Sequence, residues 1–109
     1  MNDIKLMNKA ADNIRILAAS MVEKAKSGHP GGAMGGADFV NVLFSEFLVY
    51  DPKNPAWEGR DRYFQDPGHM SPMLYSVLAL AGKFTIDELK EFRQWGSVTP
   101  GHPEVNVMR

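Results

Sequence analysis

Between Met73 and Ala81 almost every residue is apolar, with Leu74, Val77, Leu78 and Leu80 falling on all sides of any helix they form. A helix with no polar face cannot lie on a surface and must be covered on more than one side. This segment sets the plan of the chain: the other elements have to surround it. Ser71-Pro72 ahead of it reads as an N-cap followed by the first helical residue, and Gly82 ends it.

The candidate surrounding elements are mostly helical. From Ile4 to Lys26, Met7, Ala10, Ala11, Ile14, Leu17, Ala18, Met21, Val22 and Ala25 recur at spacings of three and four, the stripe of a long amphipathic helix that Ser27-Gly28 stops. Gly28-His29-Pro30-Gly31-Gly32 reads as loop. A second helix is expected from about Gly35 to Leu48, with Asp38 in its first turn, where an acid suits the helix dipole. Thr85 and Glu88 form a capping box and Phe84 and Leu89 a hydrophobic staple, which starts a helix at Ile86 and carries it to about Trp95, with Gly96 closing it. Ser97 to Arg109 reads as loop.

Asp51-Pro52-Lys53-Asn54-Pro55 breaks the chain, and Asp61-Arg62-Tyr63-Phe64-Gln65 is the one convincing strand, ended by Asp66-Pro67-Gly68. Four helices and a single strand do not make a sheet, because the strand's backbone groups need neighbours. The chain is either a small helical domain with an extended connector or part of something larger. The apolar helix favours the second, since 109 residues barely supply surfaces to cover it.

Composition removes several classes of function. A net charge of −1 with 23% charged residues leaves no basic footprint for nucleic acid and no polybasic membrane signal. Without cysteine there are neither disulfides nor thiolate metal sites. No apolar run approaches the roughly 20 residues of a membrane span, and the first residues lack a signal peptide's apolar core. A soluble cytoplasmic protein is expected.

Every histidine follows a glycine, in Gly28-His29-Pro30, Gly68-His69-Met70 and Gly101-His102-Pro103. Glycine lets backbone amides approach a ligand or take positive φ, and histidine supplies a donor or a proton switch near neutral pH. Three such corners either converge on one polar ligand or are ordinary turns facing water. Gly68-His69 lies between strand and helix, where α/β sheets place ligands and helix amides point at them; phosphate or diphosphate is the natural guest.

The stretch from Gly28 to Gly36 has five glycines but lacks the Lys-Ser/Thr of a P-loop, and the helix before it rules out the dinucleotide fingerprint. Thr99-Pro100-Gly101-His102-Pro103-Glu104 is stiff, serving either to aim an imidazole or as a rigid exposed turn. Zinc is disfavoured, because metal-binding imidazoles are commonly paired at short spacing and these lie tens of residues apart.

In order along the chain, Lys26-Ser27-Gly28-His29-Pro30-Gly31, Asp51-Pro52-Lys53-Asn54-Pro55 with Trp57, Arg60-Asp61-Arg62-Tyr63-Phe64, Gly68-His69 with Leu74-Tyr75-Ser76, Glu88-Leu89-Lys90 with Phe92-Arg93, and Gly96-Ser97 with Thr99-Pro100-Gly101-His102-Pro103-Glu104 are similar to the N-terminal part of the transketolase family. The resemblance runs from about Ala10 to Glu104. It implies an α/β thiamine-diphosphate-binding fold of which residues 1–109 are a partial, mostly helical domain. It implies transfer of a two-carbon ketol unit between sugar phosphates, in the pentose phosphate pathway, by a homodimer that uses thiamine diphosphate and magnesium.

By position, Gly68 and His69 would contact the cofactor diphosphate. His29 and His102 would hydrogen-bond the donor sugar and act catalytically. The magnesium ligands, in a Gly-Asp-Gly segment with a later Asn, and the pyrimidine-side glutamate would lie beyond Arg109, which leaves the chain inactive alone. Met70 departs from the pattern, standing where the family has a small residue. The alternative is a non-catalytic helical interaction module, or a subunit that pairs with a separate thiamine-binding chain.

Overall fold

The computed structural model describes residues 2–104. Helix α1 spans Ile4–Ala25, α2 Pro30–Gly35, α3 Ala37–Val42, α4 Ser71–Leu80 and α5 Ile86–Lys90. A π-helical turn, Leu43–Phe47, continues α3, and a 3-10 turn, Gly68–Met70, leads into α4.

The apolar α4 is the centre of the molecule, as a helix without a polar face requires, and residues 71–77 are all buried. On one side Met73, Leu74 and Val77 pack with Ile14 and Ala18 of α1, Ala33 of α2, Ala37 and Val40 of α3, and Phe44. On another, Tyr75 packs with Met21, Phe84, Leu89 and Phe92. Full burial of a large apolar side chain contributes roughly 1.5–3 kcal/mol, so these two clusters dominate the stability of the fold. Asp3 caps α1 by accepting from the amides of Lys5 and Leu6. Arg15 makes a two-pronged pair with Asp38 at 2.9 and 3.1 Å, tying α1 to the first turn of α3. That pair holds the Asp38 carboxyl below its ordinary range.

The capping box forms: Glu88 N donates to Thr85 Oγ1 at 3.1 Å, and Thr85 N donates to Glu88 Oε1 at 2.9 Å. Its helix, however, ends at Lys90 and not near Trp95. The chain tightens into i→i+3 turns, Phe92 N to Leu89 O and Gln94 N to Glu91 O. It then turns at Arg93, whose φ is +61°.

The glycine-rich stretch is corrected more fully. Pro30 occupies the first turn of a real helix, α2, after an extended His29. A β-carbon on Gly32 would lie 2.8 Å from Met70 Sδ, and one on Gly36 2.7 Å from Met73 Sδ. The glycines let α2 sit directly on the methionines at the start of α4, and that burial outweighs glycine's helix cost of about 1 kcal/mol. Consequently the second long helix is really α3 plus the π-helical turn, closed by Leu48 N donating to Leu43 O at 2.9 Å. Helix α1 is stopped by Lys26 in the left-handed conformation, φ +54°, and not by Ser27-Gly28.

Residues 61–65 are extended but form no strand; among the described residues none does. Asp61 N donates to Val49 O and Asp61 Oδ2 accepts from Val49 N, each at 2.7 Å, and no ladder follows. Phe64 is 90% exposed. Without a neighbouring strand the segment has nothing to pair with. The loop expected from Ser97 to Arg109 is irregular as far as Glu104, and its remainder lies outside the described residues.

Candidate functional site

The fold brings the three Gly-His corners together. His29 stands at the N-cap of α2 and His69 in the 3-10 turn before α4. Their rings meet edge to face with centroids 4.9 Å apart. His102, of the third corner, covers the second: a β-carbon on Gly68 would lie 3.2 Å from His102 Nδ1. His69 is half-buried, while His29 and His102 are exposed. Among the described residues no three His, Asp or Glu side chains gather closely enough to hold a metal ion.

The glycines matter here for a reason other than ligand approach. Gly28 takes φ +129°, and a β-carbon there would come 3.3 Å from Phe92 Cε2 and 3.7 Å from Arg93 Nε. At Gly101 it would come 3.1 Å from Arg93 Nε. Gly101 thus leaves space for Arg93 and Gly68 for His102, whereas Gly28, whose β-carbon would come closest to Val22 Cγ2 at 3.2 Å, is required chiefly by its positive φ.

The segment carrying His102 is held down rather than free. Thr99 is fully buried and its hydroxyl donates to Glu88 O at 3.0 Å. The Tyr75 hydroxyl donates to Pro100 O, and the Ser71 hydroxyl to Gly101 O. Ser71 is therefore the first residue of α4 and an anchor for the corner, not the N-cap. Ser71, Tyr75, Thr99 and Arg93 did not stand out in the sequence as site residues. Their signal was the helical register, which puts positions 71 and 75 on one side of α4.

Burial, together with the charge of Glu104, pushes the Tyr75 hydroxyl well above its ordinary value. The folded state thus keeps its proton where the unfolded chain loses it near pH 10. Stability from this group is complete below pH 10 and falls as pH rises beyond it. We expect the thermal midpoint to drop more steeply between pH 9.5 and 11 in the natural protein than in Tyr75→Phe. Tyr75→Phe itself should cost about 1 kcal/mol at neutral pH through the lost hydrogen bond. Parallel pH profiles of the two proteins would contradict this.

A cleft of about 500 Å³ opens beside Gly68 and His102, walled by Phe44, Leu48, Tyr50 and Tyr63. His69 stands on the 3-10 turn that opens α4, where an imidazole donor and the positive end of the helix dipole suit an anionic group, although Pro72 brings no N–H. That donor set fits a diphosphate.

The family described as transketolase, thiamine diphosphate binding domain, matches residues 6–109. The chain is 51% identical over 104 residues to transketolase-1, chloroplastic, of Arabidopsis thaliana, covering 94% of this chain and 14% of that protein. It is 54% identical over 101 residues to the transketolase of Buchnera aphidicola, covering 92% of this chain and 15% of that protein. The crystal structure of transketolase from Campylobacter jejuni superposes with a TM-score of 0.90 at 45% identity, over 98% of this chain and 17% of that one. The chain therefore spans about one seventh of the length of these relatives.

Proposed function

Because this chain belongs to the transketolase family, as part of its thiamine diphosphate binding domain, we propose that the protein containing it transfers a two-carbon ketol unit from a ketose phosphate to an aldose phosphate. The observation that supports this reading is the convergence of the three Gly-His corners at the start of α4.

His69, on the 3-10 turn with Gly68, would hold the diphosphate of the cofactor at the positive end of α4. His29 and His102 face the donor sugar and hydrogen-bond its hydroxyl and carbonyl oxygens, orienting the bond to be broken. An imidazole can donate to an oxygen that gains charge and exchange a proton near neutral pH. Thiamine diphosphate, when bound, supplies a carbon nucleophile able to cleave a carbon–carbon bond beside a carbonyl. Magnesium accompanies the diphosphate, with ligands outside these residues, and the working form is a homodimer in the cytoplasm. Among the described residues no helix is long and apolar enough to cross a membrane.

The test is an assay of the full-length protein with ketose and aldose phosphates, thiamine diphosphate and magnesium. Turnover that is lost on chelation and absent from residues 1–109 alone is expected. A full-length protein that binds the cofactor yet transfers no ketol unit would overturn the reading in favour of a non-catalytic module.

A further inference from the structure

Arg93 lies between the two corners that face the donor sugar. A β-carbon on Gly101 would lie 3.1 Å from its Nε and 3.3 Å from its guanidinium carbon, and its Nη1 donates to Ser27 Oγ, next to Gly28, at 2.9 Å. Its main-chain N–H donates to Thr99 O at 3.1 Å, so its backbone holds the His102 segment while its side chain holds the His29 segment. Arg93 takes φ +61°, a conformation a non-glycine residue rarely adopts. Its Nε is buried with no hydrogen-bond partner. Its guanidinium carbon sits 5.6 Å from the Phe92 ring centre, and Phe92 is itself buried in the core beside Tyr75.

An unusual backbone angle, an unmatched buried donor, a side-chain bond to Ser27 and a glycine at 101 that leaves room for the guanidinium together exceed what a surface arginine needs. We infer that Arg93 is a positioning residue for ketol transfer, setting the separation of His29 and His102 without touching the cofactor. A planar guanidinium can fill the slot between two peptide units and donate sideways to Ser27 at once. A lysine ammonium offers neither the plane nor the fixed fork. This inference rests on the reading of His29 and His102 as the donor-sugar contacts.

The experiment uses the full-length holoenzyme and three variants. Arg93→Lys keeps the charge, Arg93→Gly relieves the positive φ while removing the side chain, and Gly101→Ala displaces the guanidinium without altering it. A misplacement of about 1 Å at a reacting group can lower the rate about 10²-fold. Each variant should therefore lose about 10–100-fold in kcat while its affinity for thiamine diphosphate stays within about twofold. Arg93→Lys combined with His29→Ala should be no slower than His29→Ala alone, since the arginine side chain acts through the His29 segment.

Additive losses in that pair, an unchanged kcat, or a parallel fall in cofactor affinity would each overturn the inference. Crystal structures of the natural protein and Arg93→Lys give a readout independent of activity. The His102 ring should shift relative to His29 while the His29–His69 contact persists. If the natural protein transfers no ketol unit, the functional reading fails. Histidines that do not move in the variant would overturn the positioning role on their own.

Discussion

Replacing His102 with alanine in the full-length protein should lower kcat with a ketose phosphate donor by about 10²–10³-fold, the loss expected when one preorganised donor to a developing oxygen charge is removed. His29→Ala should fall in the same range. Both rings are exposed, and the backbone beneath His102 is anchored independently by Ser71, Tyr75 and Thr99. Truncation should therefore leave the thermal midpoint almost unchanged. Thiamine diphosphate affinity should change no more than about threefold, since in this reading both rings meet the donor sugar and His69 the diphosphate. Steady-state kinetics with calorimetric titration of the cofactor separates these quantities. Cofactor affinity falling in step with kcat would place these histidines at the diphosphate instead, and normal turnover in both variants would remove them from the site.

His69→Ala should have the opposite signature. A hydrogen bond to a charged group contributes about 1.5–3 kcal/mol, so loss of the imidazole should weaken thiamine diphosphate binding about 10–100-fold. At saturating cofactor, kcat should recover to within roughly tenfold of the natural value. Full recovery is not expected, because the His69 ring also braces His29 edge to face at 4.9 Å. Such contacts contribute about 0.5–1.5 kcal/mol beyond burial. His69→Phe keeps the brace without the donor and should recover more of kcat at saturation than alanine, at equally poor affinity. A variant with natural affinity and a collapsed kcat would exchange the roles assigned to His69 and His29.

Parts of this architecture are visible in the residues themselves. The need to cover residues 73–81 on several sides follows from their having no polar face, and α4 is indeed central. The pattern Thr85-x-x-Glu88 specifies its own hydrogen bonds, and both form. Elsewhere local preference is overruled. Glycine-rich residues 30–35 have poor intrinsic helix propensity, yet they form α2, with Met70 filling the space at Gly32 and Met73 that at Gly36 just beyond its end. Nothing local says that Arg93 turns left-handed, since arginine carries no preference for that conformation; its bonds to the Thr99 carbonyl and to Ser27, and the space beside Gly101, go with it. Residues 61–65 have the composition of a strand, but a strand is a relation between segments and composition cannot supply the partner. The Gly-His pairing is plain in the residues, but its cause is not local: Gly68 makes room for His102, distant in the chain, and Gly101 for Arg93 on another element.

Met70 and the two glycines it rests on bear on how such a sequence can change. With a β-carbon at position 32, the Met70 side chain would have to shift from where it lies, as would the Met73 sulfur for one at 36. Methionine, unbranched and with three rotatable bonds, can make such a shift. The choice of residue at 32 and the rotamer at 70, beside a histidine of the site, are therefore coupled: a substitution at one is felt at the other.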